Sequence, residues 1–200
     1  MAKFLDFGDN VSFKDIPITD DGIPTTEFLK ASETLVSLFN ILGATTFSVV
    51  ISDMNGNIKK IRDRQTEAPA SSATLQQLTA AEFAEKKNKA TATQGLLWLL
   101  RGLDFTAQGL RHNIDNPTEE LKTSFNHAYG NTLKPHHNFV VKGVFGVAVS
   151  AVPGRKDFYD KLGTPDHTGK DDRLIDWLDN LEVVVKILQN YYKENKDFGF

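Results

Sequence analysis

Cysteine is absent from this 200-residue chain. Disulfides and thiolate metal sites are therefore excluded, and a reducing compartment is allowed. A charge surplus is missing as well. Charged residues make up 24 % and the net charge is −3, which argues against a nucleic-acid partner, since that role wants a basic excess. No apolar run is long enough to span a bilayer. The longest, Phe139 to Val152, contains Lys142 and falls short of the roughly 20 residues a spanning helix needs. The first residues do not read as a signal peptide, because Asp6 and Asp9 interrupt any apolar stretch. The expected location is cytoplasmic, where the sequon Asn10-Val11-Ser12 would go unused. There is no GxSxG nucleophile motif, no Gly-rich phosphate loop and no HExxH. His112, His127, His136, His137 and His167 show no metal-ligand spacing. Asp15, Asp20, Asp21 and Gly22 suggest a calcium loop, but placing Gly22 at its sixth position puts Pro17 and Phe28 where carboxylates belong. No catalytic residue, metal or cofactor is expected.

What is present is helical periodicity. The decisive stretch is residues 46–64. Phe47-Ser48-Val49-Val50-Ile51 is rich in β-branched residues, and Asn55-Gly56 is a strong hairpin signal. Against that, Phe47, Val50, Ile51, Met54, Ile58 and Ile61 fall on one helical stripe that runs through the supposed turn. Helix is the better reading, with Gly56 inside it at a cost of about 1 kcal/mol. A glycine there would let another group approach the backbone closely.

Other helices follow from caps and breakers. One begins at Thr25 or Thr26 and ends at Gly43. One begins at Thr74, with Gln77 closing a capping box. A helix over 91–112, apolar nearly all round, should lie buried at the centre. Asn116, Pro117 and Glu119 read as the start of the next. A further apolar helix spans 136–151, a short one 155–162 and a long one 171–193, where Asp171 and Asp172 read as capping residues. The chain is expected to be all-α, with about eight helices in layers that cover one another. Residues 1–24 look irregular and 25–200 form the helical domain.

In the 46–64 helix, Asp53, Asn57 and Lys60 form one narrow polar stripe. A carboxylate, an amide and an ammonium side by side suit a ligand with many hydroxyls. Trp98 reads as core, and Arg101 in an apolar helix needs an acceptor or water. The residues alone support a soluble α-helical domain with one unusual polar cluster.

Several stretches together resemble the glycolipid transfer protein family. They are Asp53-x3-Asn57-x2-Lys60, Leu97-Trp98-Leu99-Leu100-Arg101-Gly102-Leu103, His137 sixteen residues before Pro153, and the fungal-like stretches 12–22 and 82–87. The likeness covers about residues 12 to 192 and is strongest to the fungal, heterokaryon-incompatibility type members. It implies a two-layer helical sandwich that carries glycosphingolipids between membranes without catalysis, as a monomer that touches the membrane transiently. It also implies roles. Trp98 would be the plate under the first sugar, and Asp53, Asn57 and Lys60 would bind its hydroxyls. Asp53 and His137 would clamp the ceramide amide, while Arg101 would orient Asp53 or its neighbours. Phe139, where animal members often carry tryptophan, would dock on the membrane with Lys142, Tyr159 and Phe198 or Phe200 being other candidates. The alternatives are ceramide-1-phosphate transfer, or a lipid-sensing scaffold that binds without shuttling.

Overall fold

In a computed structural model of the chain, residues 4–6, 11–164 and 169–198 are described. Asn10, His167 and Phe200 lie outside them. The described residues form eight α-helices: α1 Thr25–Gly43, α2 Ser48–Glu67, α3 Leu75–Lys86, α4 Thr91–Asp115, α5 Leu121–Asn131, α6 Phe139–Ser150, α7 Arg155–Leu162 and α8 Asp172–Glu194. Among these residues the only β pairing is two isolated bridges, Thr19 with Gly22 and Pro24 with Thr74. The all-α reading holds. Short 3-10 turns fill several connections, including Pro69–Ser71 and Lys134–His136.

In α2 the helical stripe overrides the strand and turn signals. Phe47, Val50, Met54, Ile58 and Ile61 are buried, whereas Asn55 and Gly56 face outward. Burying five side chains at about 1.5–3 kcal/mol each outweighs one glycine at about 1 kcal/mol. The close approach expected at Gly56 does not occur: a Cβ there would meet nothing within 4 Å. The approach happens on α4 instead. A Cβ on Gly95 would lie 3.1 Å from Lys60 Cδ, and one on Gly102 would lie 3.4 Å from Met54 Cε. Glycines seven residues apart thus seat α2 close against α4, and Gly109 continues the row, its Cβ position 2.8 Å from the Phe125 ring.

Helix α4 is the central element, packed on α2, α3, α5 and α8. Its first turn is capped from outside. Glu82 of α3, 1 % exposed, accepts from the amides of Ala92 (3.1 Å) and Thr93 (2.7 Å) and from Thr93 Oγ1 (2.7 Å). A carboxylate at a helix N-terminus satisfies donors that have no intrahelical partner. Tyr192 of α8 donates to Thr93 O at 2.7 Å and ties the same corner to the far end of the chain. Glu82→Ala would leave these donors buried and unpaired. It should destabilise the protein by about 3–5 kcal/mol, read as a lower urea midpoint at unchanged slope. An unchanged midpoint would mean that water replaces the carboxylate.

One cap and two helix starts differ from the sequence expectation. Helix α3 has only half of its capping box: Thr74 Oγ1 accepts from the Gln77 amide, while the neighbouring Gln76 side chain accepts from Ile23 N at 3.0 Å. Helix α5 starts at Leu121, not after Asn116, because Asn116 closes the previous helix. Its side-chain amide and backbone N–H both reach His112 O, at 2.8 and 3.0 Å. Glu119 and Glu120 serve α4 and α7 instead, through His112 (3.1 Å) and the Arg155 amide (2.8 Å). Helix α6 begins at Phe139, capped by the Asn138 side chain on Val141 N. It is also less covered than its apolar sequence suggests. Only Phe145, Ala148 and Val149 are fully buried, while Val140, Val144 and Val147 are 68, 46 and 70 % exposed. The segment before α1 contributes Phe13, Ile16 and Ile23 to the common core.

Candidate functional site

The site sits where α2 crosses α4, beside the start of α6. Asp53, Asn57 and Lys60 rise from successive turns of α2 and bond to one another. Asn57 Nδ2 donates to Asp53 Oδ2 at 3.2 Å, and Lys60 Nζ donates to Asn57 Oδ1 at 2.9 Å. Asn57, 2 % exposed, is the buried hinge of this relay. The row thus has its polarity set: a cation at one end, an acceptor carboxylate at the other. Asp53 meets solvent at its rim, yet the wall around its carboxyl desolvates it and raises its pKa, against the pull of Lys60 and Asn57.

Trp98, partly exposed, stands opposite on α4. It is not a core residue, as its type alone suggests. His137 lies near-parallel to its ring (6.1 Å between centroids, 17°) and His136 meets it edge-on (6.3 Å, 83°). Arg101 sits with its guanidinium carbon 4.6 Å from the indole centroid, a cation–π contact. The supporting role expected of Arg101 therefore falls on the indole. The groups that act on Asp53 are Lys60 and Asn57.

His137 follows the turn at Pro135, and its Nδ1 lies 3.2 Å from Tyr129 Oη. Burial raises the Tyr129 pKa, so the phenol keeps its proton. When Tyr129 donates to Nδ1, His137 carries its own proton on Nε2. Burial first, then His136, Lys142 and Arg101, lower the His137 pKa, which keeps the ring neutral at pH 7. A neutral imidazole with a free N–H and a carboxylate with free lone pairs can hold the two ends of an amide.

Asp53, Asn57, Lys60, Trp98 and His137 line a cavity of about 340 Å³. Gln94, one turn before Trp98, joins them. The rest of its wall is largely apolar, with Val50, Met54, Leu133, Val141 and Phe145. Sequence reasoning missed Gln94 and Tyr129. Gln94 was available from its i, i+4 spacing to Trp98. The pairing of Tyr129 with His137 depends on the turn at Pro135 between them. Phe139 and Lys142 lie apart from the cavity walls on the outer surface of α6, with Phe139 88 % exposed. Tyr159 and Phe198, the other docking candidates, are 0 and 6 % exposed and are unavailable for docking.

No helix of the described residues is long and apolar enough to cross a membrane. Residues 23–164 match the family model described as glycolipid transfer protein. A protein from Aureobasidium melanogenum named glycolipid transfer protein is 54 % identical over 180 residues, 90 % of this chain and 88 % of that one. The human pleckstrin homology domain-containing family A member 8 is 40 % identical over 154 residues; the match takes in 74 % of this chain but only 29 % of that longer protein. The crystal structure of HET-C2, a fungal glycolipid transfer protein, superposes with a TM-score of 0.88 at 45 % identity, covering 98 % of this chain and 100 % of the other. The helices thus follow the fold that the resemblance implied, and the chain belongs to the glycolipid transfer protein family.

Proposed function

We propose that this protein binds a glycosphingolipid and carries it between membranes, without chemical change to the lipid. The observation that supports this most is one cavity whose wall joins hydroxyl-matched groups to apolar side chains. The first sugar would stack on Trp98, with Asp53 accepting, Lys60 donating and Asn57 doing both. Asp53 would accept the ceramide N–H and His137 Nε2 would donate to its carbonyl. The hydrocarbon would enter past Val141 and Phe145, gaining about 0.8 kcal/mol per buried CH₂. At about 340 Å³ the cavity suits the sugar and the first methylenes, so Met54 and Phe145 would have to give way for full chains. The preferred cargo is a mono- or dihexosylceramide, the working form is a monomer, and the absence of cysteine suits a cytosolic setting. Incubation with glucosylceramide vesicles, followed by gel filtration, should yield a soluble one-to-one complex whose lipid is intact by mass spectrometry. Protein that emerges without lipid would refute the reading.

Docking would use the outer face of α6. Phe139, Val140, Val144 and Val147 are exposed along one side, with Lys142 beside them. A helix with an uncovered apolar face and a cation at its edge suits a bilayer interface. Phe139→Ala should lower vesicle association about tenfold, as expected for burying one ring, with the melting temperature unchanged. Unaltered sedimentation with vesicles would move the docking surface elsewhere.

A further inference from the structure

Five of the six arginines hold carboxylate or amide oxygens, and Arg101 is the exception. Among the described residues its guanidinium has only the Trp98 ring, whose centroid is 4.6 Å from the guanidinium carbon, and no carboxylate or hydrogen-bond acceptor. Burial disfavours the charge and lowers the Arg101 pKa, with Tyr192 pulling the other way. A half-buried guanidinium with its N–H donors unmet costs free energy unless water or an anion meets them.

Arg101 opens into a groove of about 280 Å³ between α4, α8 and the turn Lys134–His136. This groove shares no lining residue with the glycolipid cavity. Lys193 of α8 and His136 line it too, and Asn131 adds an amide donor. Lys193 is exposed and has no ion-pair partner among the described residues. Burial and Arg101 lower the His136 pKa, so at pH 7 this ring is neutral and offers one N–H. The carboxylate of the groove is Asp104. Gln108 Nε2 donates to its Oδ1 and Gln189 Nε2 to its Oδ2, each at 3.0 Å. Asp104 also lines a neighbouring hollow of about 310 Å³, whereas Arg101 and His136 do not. Two fixed cations against one carboxylate already engaged by two amides leave the groove positive, in a chain whose net charge is −3.

The place of this charge matters. The turn that carries His136 leads directly into Phe139, the exposed ring at the head of α6. Lys134 is exposed on the same turn. The groove therefore borders the face assigned above to membrane docking, and a basic pocket at a bilayer interface attracts anionic headgroups.

We propose that this groove takes the phosphate of an anionic lipid in the bilayer on which α6 docks, with Arg101 and Lys193 as its cations. The proposal rests on the docking reading given above. A phosphomonoester suits the groove best, because it carries more charge than a diester and more free oxygens for a guanidinium fork and an ammonium to share. The bound phosphate and the carried glycolipid would belong to different molecules, since groove and cavity have no residue in common.

The test is sedimentation of the full chain with three kinds of vesicle: phosphatidylcholine alone, the same doped with phosphatidic acid, and the same doped with phosphatidylglycerol to an equal surface potential. The wild-type chain should bind the phosphatidic acid vesicles about twentyfold more tightly than the neutral ones, and more tightly than the phosphatidylglycerol ones. Lys193→Gln should lower that gain about fivefold and leave binding to neutral vesicles unchanged. Arg101→Gln, its fold checked by a thermal melt, should lower the gain at least as much. Lys30→Gln makes the same charge change on α1, which does not border the groove, and should lower the gain less than about twofold. Equal losses in Lys193→Gln and Lys30→Gln, or no preference for phosphatidic acid, would overturn the phosphate site and leave docking through Phe139 standing. A wild-type chain that binds none of the vesicles would remove the docking reading and this proposal together. Free glycerol phosphate bound as tightly as the doped vesicles would contradict the lipid source and assign the groove to a soluble phosphate ester.

Discussion

Asp53→Val should cut glycolipid transfer by about a hundredfold or more while leaving the fold intact. In the proposed pose two charge-assisted hydrogen bonds would disappear, one from the ceramide amide and one from the sugar, at about 1.5–3 kcal/mol each. The stability side runs the other way. Burial raises the Asp53 pKa in the folded protein, so the ionised form is disfavoured by folding. Such a group subtracts stability above its folded pKa and returns it as the pH falls through that value. Replacing it with valine at neutral pH should therefore leave the melting temperature unchanged or raise it. A group that weakens the fold and strengthens the site is placed for function. Loss of transfer together with a lower melting temperature would make Asp53 structural instead. Trp98→Ala should behave similarly, with the added consequence that Arg101 loses its ring partner.

Ceramide-1-phosphate should move at about a hundredth of the glucosylceramide rate or slower. A phosphate carries roughly −1.5 to −2 charge and wants several charged donors. Here Lys60 Nζ is already engaged with Asn57 Oδ1 at 2.9 Å, and Arg101 is laid on the indole. Asp53 sits at the same end, and two like charges near 4 Å repel by about 4 kcal/mol at an effective dielectric of 20. The indole face is also negative. A hexose meets none of these objections. Asn57→Lys with Trp98→Arg would supply cations and remove the plate, so the double variant should lose glucosylceramide transfer and gain on phosphate. Equal rates for both lipids in the unmodified protein would rule out this account of headgroup choice.

Much of the fold and part of the site are legible in the sequence. The stripe of Phe47, Val50, Met54, Ile58 and Ile61 identified α2 as helix despite Asn55-Gly56, because burial at a 3.6-residue period is a stronger constraint than a two-residue turn preference. The site residues on α2 needed only that helix to become neighbours. What could not be read was tertiary. The three glycines that bring α2 and Phe125 against α4 recur at seven-residue spacing, but nothing in the sequence says which helix fills each gap. Asn116 and Glu119 fit an N-cap pattern equally well, yet they serve the end of α4 and its neighbours, since caps are taken by whichever donor is nearest in space. Helix α6 reads as core from composition, while its uncovered face depends on where the chain turns at Pro135 and Pro153. Arg101 was recognisably odd, and its partner is the tryptophan one turn away.

The most direct measurement is transfer of isotope-labelled glucosylceramide from donor to acceptor vesicles, with separate recovery of the two populations and mass analysis of the lipid. The carrier account predicts that catalytic amounts of protein move many lipids per molecule, that the label arrives as intact glucosylceramide, and that Asp53→Val and Trp98→Ala slow the movement by about tenfold or more. Label that stays in the donor vesicles despite tight binding, or that arrives as free sugar and ceramide, would contradict it.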